Sequence, residues 1–481
     1  MKFIYLLAVL ALATTSCKDH ETQEEVVMTD TVAQASIDPV SPEGMEDAII
    51  YEANIRQYSP EGTFEAFTQD IPQLKELGVD VIWLMPVHPI SMKNRKAKGD
   101  LNVEDIEDEE ERKKYLGSYY SISDYQAINP EFGTKEDFDK LVATAHENGM
   151  YVILDWVANH TGWDHQWIQD HPEYYIKDKD GNVSDPINPD TGESWGWTDV
   201  AKLDFENKQL WEAMAADMKY WIAEHDVDGY RCDVAGNVPT EFWEFVVPQL
   251  KEIKPVFMLA ESEDKPLFKN AFDMGYNWEG HHIMNGLAQG EKTVKDWHEY
   301  MERVAADYEE DDYLMNFTTN HDENSWNGTV QERMGDNKDV MLAMAYTLPG
   351  MPLIYSGQEY DLDHRLKFFE KDSIPKEKGN TWKLLQKLAK VKKEHPALHG
   401  GVAAGDYTPL ETGYDDVIAF RRMKGDDAVF FVANLSDEDR KVKLDLAGGY
   451  KDEINGYTMA VSTREPLTIR PHVYHILTPV K

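Results

Sequence analysis

Residues 151–160 read YVILDWVANH. Tyr151–Leu154 form a short, bulky apolar run of the kind that makes a buried strand. Asp155, Asn159 and His160 follow at once, although a plain turn needs none of them. A strand that ends in an acid, an amide and an imidazole ends on a site, not merely on a connection. The same rhythm runs outward in both directions. Strands are expected at 48–51, 79–85, 151–154, 227–231, 256–260, 271–276, 313–318 and 352–355, with helices at 64–77, 138–148, 210–225, 241–253 and 337–347. Strands alternating with helices make parallel βαβ units. The number of strands fits an α/β fold closed as a (β/α)8 TIM barrel better than an open sheet.

Two stretches interrupt the alternation. Residues 161–208 are too long for a simple connection between a strand and its helix. They contain Trp163, Trp167, Trp195 and Trp197 among many Asp, Asn and Gly, and are read as a small domain inserted after the third strand. The tryptophans serve either as its packing or as platforms for a ligand. Residues 92–116 are dense in charge and read as a solvated loop. After residue 396 the pattern turns to short strands such as VIAFRRM and AVFFVANL, an all-β sandwich over 397–481, so that the barrel spans 45–396.

Acidic residues number 89 against 48 basic ones, a formal net charge of −41. Such a surface repels nucleic acid, whose binding needs basic patches, and leaves neutral or cationic partners. Met1-Lys2, the apolar run Phe3–Ala13 and the small residues 14–16 before Cys17 read as a signal peptide over 1–17. The segment resembles a bacterial lipobox, with Thr14 where Leu is usual. That implies an exported lipoprotein of the outer membrane or cell surface, held to the membrane only by lipid on Cys17, with 18–44 as a flexible tether. A secreted protein with an incidental cysteine is the alternative. Cys232, the only other cysteine, argues against a disulfide framework.

In a barrel of this class the chemistry sits at the C-terminal strand ends. The third strand delivers Asp155, Asn159 and His160. The fourth delivers Arg231 and Asp233, the fifth Glu261, and the seventh Asn320, His321 and Asp322. The eighth delivers Tyr355 and Glu359, and the second His88. Asp233, Glu261 and Asp322 therefore converge on one mouth. Crowded carboxyls pull their pKa values apart, leaving one protonated and one ionised, the division of labour that cleavage of a glycosidic bond requires. Arg231 lies two residues before Asp233, on the same face of a strand, where its guanidinium can orient that carboxylate.

The segments DWVANH (155–160), GYRCDVA (229–235), MLAES (258–262) and FTTNHD (317–322) resemble, in order and spacing, the four signature regions of glycoside hydrolase family 13, the α-amylase family. GVDVIWLMPV (78–87), YYSISDYQAINPEFGT (119–134) and GMPLIYSGQE (350–359) resemble further family regions. The resemblance implies a retaining enzyme on α-glucan or maltooligosaccharide, mainly at α-1,4 bonds. By position it implies Asp233 as nucleophile, Glu261 as general acid/base and Asp322 as the third acid. It implies Arg231, His160, His321 and Tyr120 as substrate-site residues and Asp155 as the brace of Arg231; His88, from its place after the second strand, is read in a supporting role, with capping or packing as the alternative. A retaining mechanism implies principal carboxyls about 5–5.5 Å apart.

Two departures stand out. Gly236 and Asn237 replace the Lys-His pair that many α-amylases carry after the nucleophile. VAKLDFEN (200–207) resembles the family's fifth region, but Lys202 stands where calcium-dependent members have Asp. An ammonium there repels calcium and replaces its charge. No cofactor is expected to be required, the common calcium site is read as replaced by Lys202, and calcium elsewhere is left open. Alternative readings are a transglycosylase, an enzyme like neopullulanase or cyclomaltodextrinase, or a glycan-binding lipoprotein without catalysis. The intact acids argue against the last.

Overall fold

Eight short strands close into a parallel barrel: β1 (Ile50–Ala53), β2 (Val81–Leu84), β3 (Tyr151–Trp156), β4 (Gly229–Cys232), β5 (Phe257–Ala260), β6 (Met274–Tyr276), β7 (Tyr313–Asn316) and β8 (Met351–Tyr355). They neighbour one another in sequence order, and β8 pairs back onto β1. The computed structural model describes residues 37–99, 101–188, 191–309 and 311–480. Cys17, the signal-peptide segment and most of the expected tether lie outside these residues.

The strands are buried on both faces, as parallel strands covered by helices must be. Alternate side chains sort into two layers. Ile50, Val81, Trp83, Ile153, Phe257, Leu259 and Met315 fill the barrel. Tyr51, Ile82, Val152, Leu154, Tyr230, Cys232 and Met258 face the helices. Cys232 is thus packing and does not reach the mouth. The same alternation carries Glu52, Asp155 and Arg231 inward, above the apolar floor. That floor is stoppered by the segment before β1. Met45 joins the interior cluster, and the Tyr151 hydroxyl donates to the Asp38 carbonyl (3.0 Å). The expected tether therefore docks on the barrel before residue 44.

Boundaries differ from expectation for local reasons. β3 runs on to Trp156, so Asp155 belongs to the strand and not to its exit. The helix expected over 64–77 divides into Phe64–Thr68 and Ile71–Glu76. Pro72, lacking an N–H, fits only the first turn of a new helix. Trp278–Gln289 and Val294–Asp307 are helices that the polar sequence concealed, and the crossover after β5 contains only the short turn Lys265–Leu267.

Residues 92–116 are not a solvated loop. Lys96–Lys98 pairs with Leu101–Asn102, and Ala97, Val103 and Tyr115 form a small core with Ile106 and Phe369. The insert is anchored by His160–Gly162 paired antiparallel with Val200–Lys202, His160 opposite Lys202. The C-terminal domain is a six-stranded antiparallel sheet and a two-stranded one. Phe420, Phe431 and Ile476 pack into the barrel's helical layer. Val417, Phe430 and Leu477, on the other face, are covered by Val442 and Ile469 of the smaller sheet.

Candidate active site

Register places the first two charges. Asp155 on β3 pairs with Arg231 on β4, so both side chains enter the barrel at one height. Arg231 is completely buried. Its Nη1 donates to Asp155 Oδ1 (2.9 Å) and Oδ2 (3.1 Å) and to Asp233 Oδ1 (3.1 Å). Nη2 lies 2.8 Å from Glu261 Oε2 as an ion pair. The guanidinium also stands 4.9 Å over the Trp83 ring, and Trp83 Nε1 and the Tyr120 hydroxyl donate to Asp155 Oδ2 at 3.1 and 3.2 Å. One cation therefore binds three carboxyls from three consecutive strands.

Glu261 gains a second donor from strained backbone. Val234 sits in the left-handed region (φ 37°, ψ 48°), which a β-branched residue enters only under constraint. The turn aims its N–H at Glu261 Oε2 (2.7 Å). Oε1 is left free of these two contacts. Burial, and then the carboxyl of Glu261, push Asp233 well above the ordinary carboxylate range, against the pull of Arg231. Burial also raises Glu261, and Arg231 opposes it. Like charges this close share protons instead of all ionising.

Across the mouth, His321 bonds at both ring nitrogens. Nδ1 meets Glu52 Oε1 (2.5 Å), and Nε2 meets the Tyr120 hydroxyl (2.8 Å) and lies 3.3 Å from Asp322 Oδ2. Burial alone would lower its pKa, but the Asp322 and Glu52 carboxylates raise it to about 9. His321 is thus an imidazolium at neutral pH. His160 is the opposite case: burial, and then the charge of Lys202, lower it to about 3, so its ring is neutral.

Asp233, Glu261, Asp322, Tyr120, His160 and His321 line a cavity of ≈460 Å³, together with Trp197, Asp199, Lys96, Trp326, Phe368 and Phe369. The structure thus brings Asp233, Glu261, Asp322, Tyr120, His160 and His321 to one mouth, with Asp155 and Arg231 immediately beneath. It does not bring His88. That ring is packed edge-on among Tyr125, Trp156 and Trp221, in the layer between barrel and helices. Four residues past β2 the chain has already turned outward, which corrects its expected supporting role. Tyr355 and Glu359 are likewise committed to packing, to Asn54 (3.1 Å) and to the Tyr51 hydroxyl (2.6 Å). The insert's tryptophans divide: Trp163 bonds the Thr198 carbonyl and Trp167 packs on Tyr125, whereas Trp197 lines the cavity with Trp195 stacked on it.

Sequence reasoning missed Glu52, Trp326 and Phe368. An acid in a wholly buried strand was the available signal for Glu52, since such a group needs a partner. Lys202 Nζ contacts Asn159 Oδ1 and lies 3.4 Å from the Asn237 carbonyl. Asn159 is therefore engaged by the ammonium. An ammonium in this position does not fit a divalent cation at the same oxygens.

The family model for the α-amylase catalytic domain matches residues 29–399. Curated relatives include the α-amylase MalA of Haloarcula japonica, 25% identical over 86% of this chain. Another is an α-1,4-glucan:maltose-1-phosphate maltosyltransferase of Salinibacter ruber, 26% identical over 82%. The chain spans 59% and 61% of their lengths. Among solved structures, a noncanonic maltogenic α-amylase, AmyB, from Thermotoga neapolitana is similar with TM-score 0.79 and 28% identity, over 91% of this chain and 100% of that one. An α-amylase from Lactobacillus plantarum gives 0.78 and 30% over the same shares.

The Glu52 contact generates a prediction. His321 has a folded pKa near 9 against about 6.5 unfolded, so its contribution to stability is complete below about 6.5 and fades as pH rises through about 9. In Glu52→Gln the ring loses one carboxylate. Its titration, followed by NMR of the imidazole protons, is expected to shift to lower pH, and the alkaline loss of stability to begin earlier. An unchanged titration would show that Asp322 alone holds the charge.

Proposed function

The chain belongs to the α-amylase family, and from that premise we propose that it is a retaining α-glucan hydrolase acting mainly on α-1,4 bonds of starch-type polysaccharides or maltooligosaccharides. The observation that carries the reading is the single guanidinium of Arg231 holding Asp155, Asp233 and Glu261 at the barrel mouth. Asp233 Oδ1 is occupied by Arg231, which turns the other oxygen toward substrate as nucleophile. Glu261 Oε2 takes the Val234 N–H, which leaves Oε1 free to carry a proton. Glu261 gives that proton to the leaving glycosidic oxygen as the C1–O bond breaks and the Asp233–C1 bond forms. Glu261 then takes a proton from water, whose oxygen attacks C1 and frees Asp233. Asp322, His321, His160 and Tyr120 hold the sugar being cleaved. Transglycosylation is the second reading, supported by the maltosyltransferase relatives, with a sugar hydroxyl in place of that water.

Asp233→Asn and Glu261→Gln are each expected to lower kcat, the latter by about 10²–10⁴-fold, with thermal midpoints near that of the parent. The first-formed product, read by NMR, should be the α-anomer. Near-normal turnover in Asp233→Asn, or a β-product, would refute the assignment. Because burial and crowding raise both carboxyls, activity should fall on the acid side at a pH above the usual carboxylate range, as Asp233 takes up a proton.

Calcium, where the family commonly binds it, is replaced in this reading by Lys202. The support is its ammonium between Asn159 and Asn237, the positions that match calcium ligands in relatives. Dialysis against a chelator should leave both turnover and thermal midpoint unchanged. Inactivation that added calcium reverses would sink the replacement.

Export as a lipoprotein rests on the sequence from Met1 to Cys17. Cys17→Ala should move the protein from the membrane to the soluble fraction when cells are separated into compartments. Retention at the membrane would exclude lipid on Cys17 as the anchor.

A further inference from the structure

The loops at the barrel mouth are unequal, and the longest of them fall in one arc of the rim. Long connections follow β2 (85–134), β3 (157–207) and β8 (356–379), whereas the chain enters a helix soon after β4 and at once after β6. In spatial order β7, β8, β1, β2 and β3 form one contiguous arc and β4, β5 and β6 the other. The first arc is stitched together. The Leu116 and Gly117 amides, from the connection after β2, donate to the Phe369 carbonyl after β8 at 2.7 and 3.3 Å. Arg56, after β1, donates from Nη1 to the Gly117 and Phe368 carbonyls at 2.9 and 3.3 Å. On the other side Lys96 Nζ donates to the Gly196 carbonyl of the insert (2.5 Å), and the Met92 amide to Asp164 Oδ2 (2.8 Å).

The strap formed by residues 90–99 and 101–118 thus reaches from the insert to the loop after β8, and its Lys96 and Gly99 line the cavity. Its own small core includes Phe369, so strap and wall are one packed unit. Inside the wall, Phe368 lies parallel to the Tyr120 ring (12°, 6.4 Å) and Trp326 leans on Phe368 (5.1 Å). Glu261, by contrast, follows β5, in the middle of the other arc.

The chemistry fixes which way a glucan must run. The group that protonates the leaving oxygen stands beside C1 of the cleaved sugar, so the departing reducing-side chain exits past Glu261. C4 is at the far end of that ring, and any residue attached there is directed into the walled arc. We propose that the strap and the wall after β8 close the non-reducing side of the site. The enzyme then removes short units from the non-reducing ends of chains and does not cut internally. This rests on the α-glucanase reading above and specifies how that site selects its substrate.

The test uses the full-length protein and a pair of maltoheptaosides, one with a free non-reducing end and one with its terminal hydroxyls capped by a cyclic acetal. Products are separated by chromatography. The free substrate should be degraded, and the capped one at least about 100-fold more slowly, since a pocket that cannot seat a group rejects it strongly. Amylose should release short products from the start while its viscosity persists. Equal rates on the two heptaosides would overturn the closed end and leave the hydrolase intact. Inertness toward both would overturn the hydrolase reading, and this proposal with it. A variant with 96–113 replaced by a short flexible linker should recover cleavage of the capped substrate. Should it fail to fold, the comparison of substrates on the parent still decides.

Discussion

Everything at the mouth of this barrel depends on the burial of one guanidinium. Taking an ion of that size out of water costs several kcal/mol even after the protein relaxes. Arg231 is fully buried, so the cost is real, and only close carboxylates offset it. The barrel supplies them through register: Asp155 is its neighbour in the ladder, Asp233 follows two residues on, and Glu261 tops the next strand. The dependence runs both ways. Without the cation, three carboxyls at this spacing would hold more protons and repel one another. Without the carboxyls, the cation would be an unpaired charge in a dry interior. Fold stability and the ionisation needed for chemistry are therefore set by the same contacts.

The second constraint is the division of each strand into an apolar lower part and a polar upper part. Ile50 and Glu52, or Ile153 and Asp155, occupy successive inward positions on the same strand. The lower positions interlock as an ordinary core. The upper ones are charged, and each finds a partner on or just beyond another strand: Glu52 with His321, Asp155 with Arg231. His321 consequently keeps its charge while His160, beside the ammonium of Lys202, loses its own. The two imidazoles at one mouth therefore differ in kind, one a charged donor and the other neutral.

How much of this could be read from the chain depended on distance along it. The strands, their order and the acids at their ends were legible because each signal is local. Arg231 and Asp233 lie two residues apart, and Asp155 ends a run that only a strand explains. Glu52 was not legible, because its partner is 269 positions away and its meaning appears only when the barrel closes. His88 misled for the converse reason: spacing alone placed it at a rim that the chain had already left. The strap misled because Ala97, Val103 and Tyr115 follow no period, and their apolar contacts are hidden among charges. The aromatic wall draws on Tyr120, Trp326 and Phe368, so no single window of sequence contains it.

Lys202 shows what such placements cost. Burial lowers its pKa to about 8, against about 10.4 for the unfolded chain. Between those values the unfolded chain binds more protons than the folded one, so stability contributed by this group rises with pH across that window. At neutral pH the ammonium is thus a net burden, relieved in part by the nearby charge of Asp204 and by its contacts with Asn159 and the Asn237 carbonyl. A group kept at a loss in stability is kept for what it holds in place. Here that is the paired start of the insert, where His160 faces Lys202 across the ladder, and the turn after Asp233. Unlike a bound ion, a side chain cannot be diluted or chelated away, so the join between insert and barrel is fixed by the chain itself.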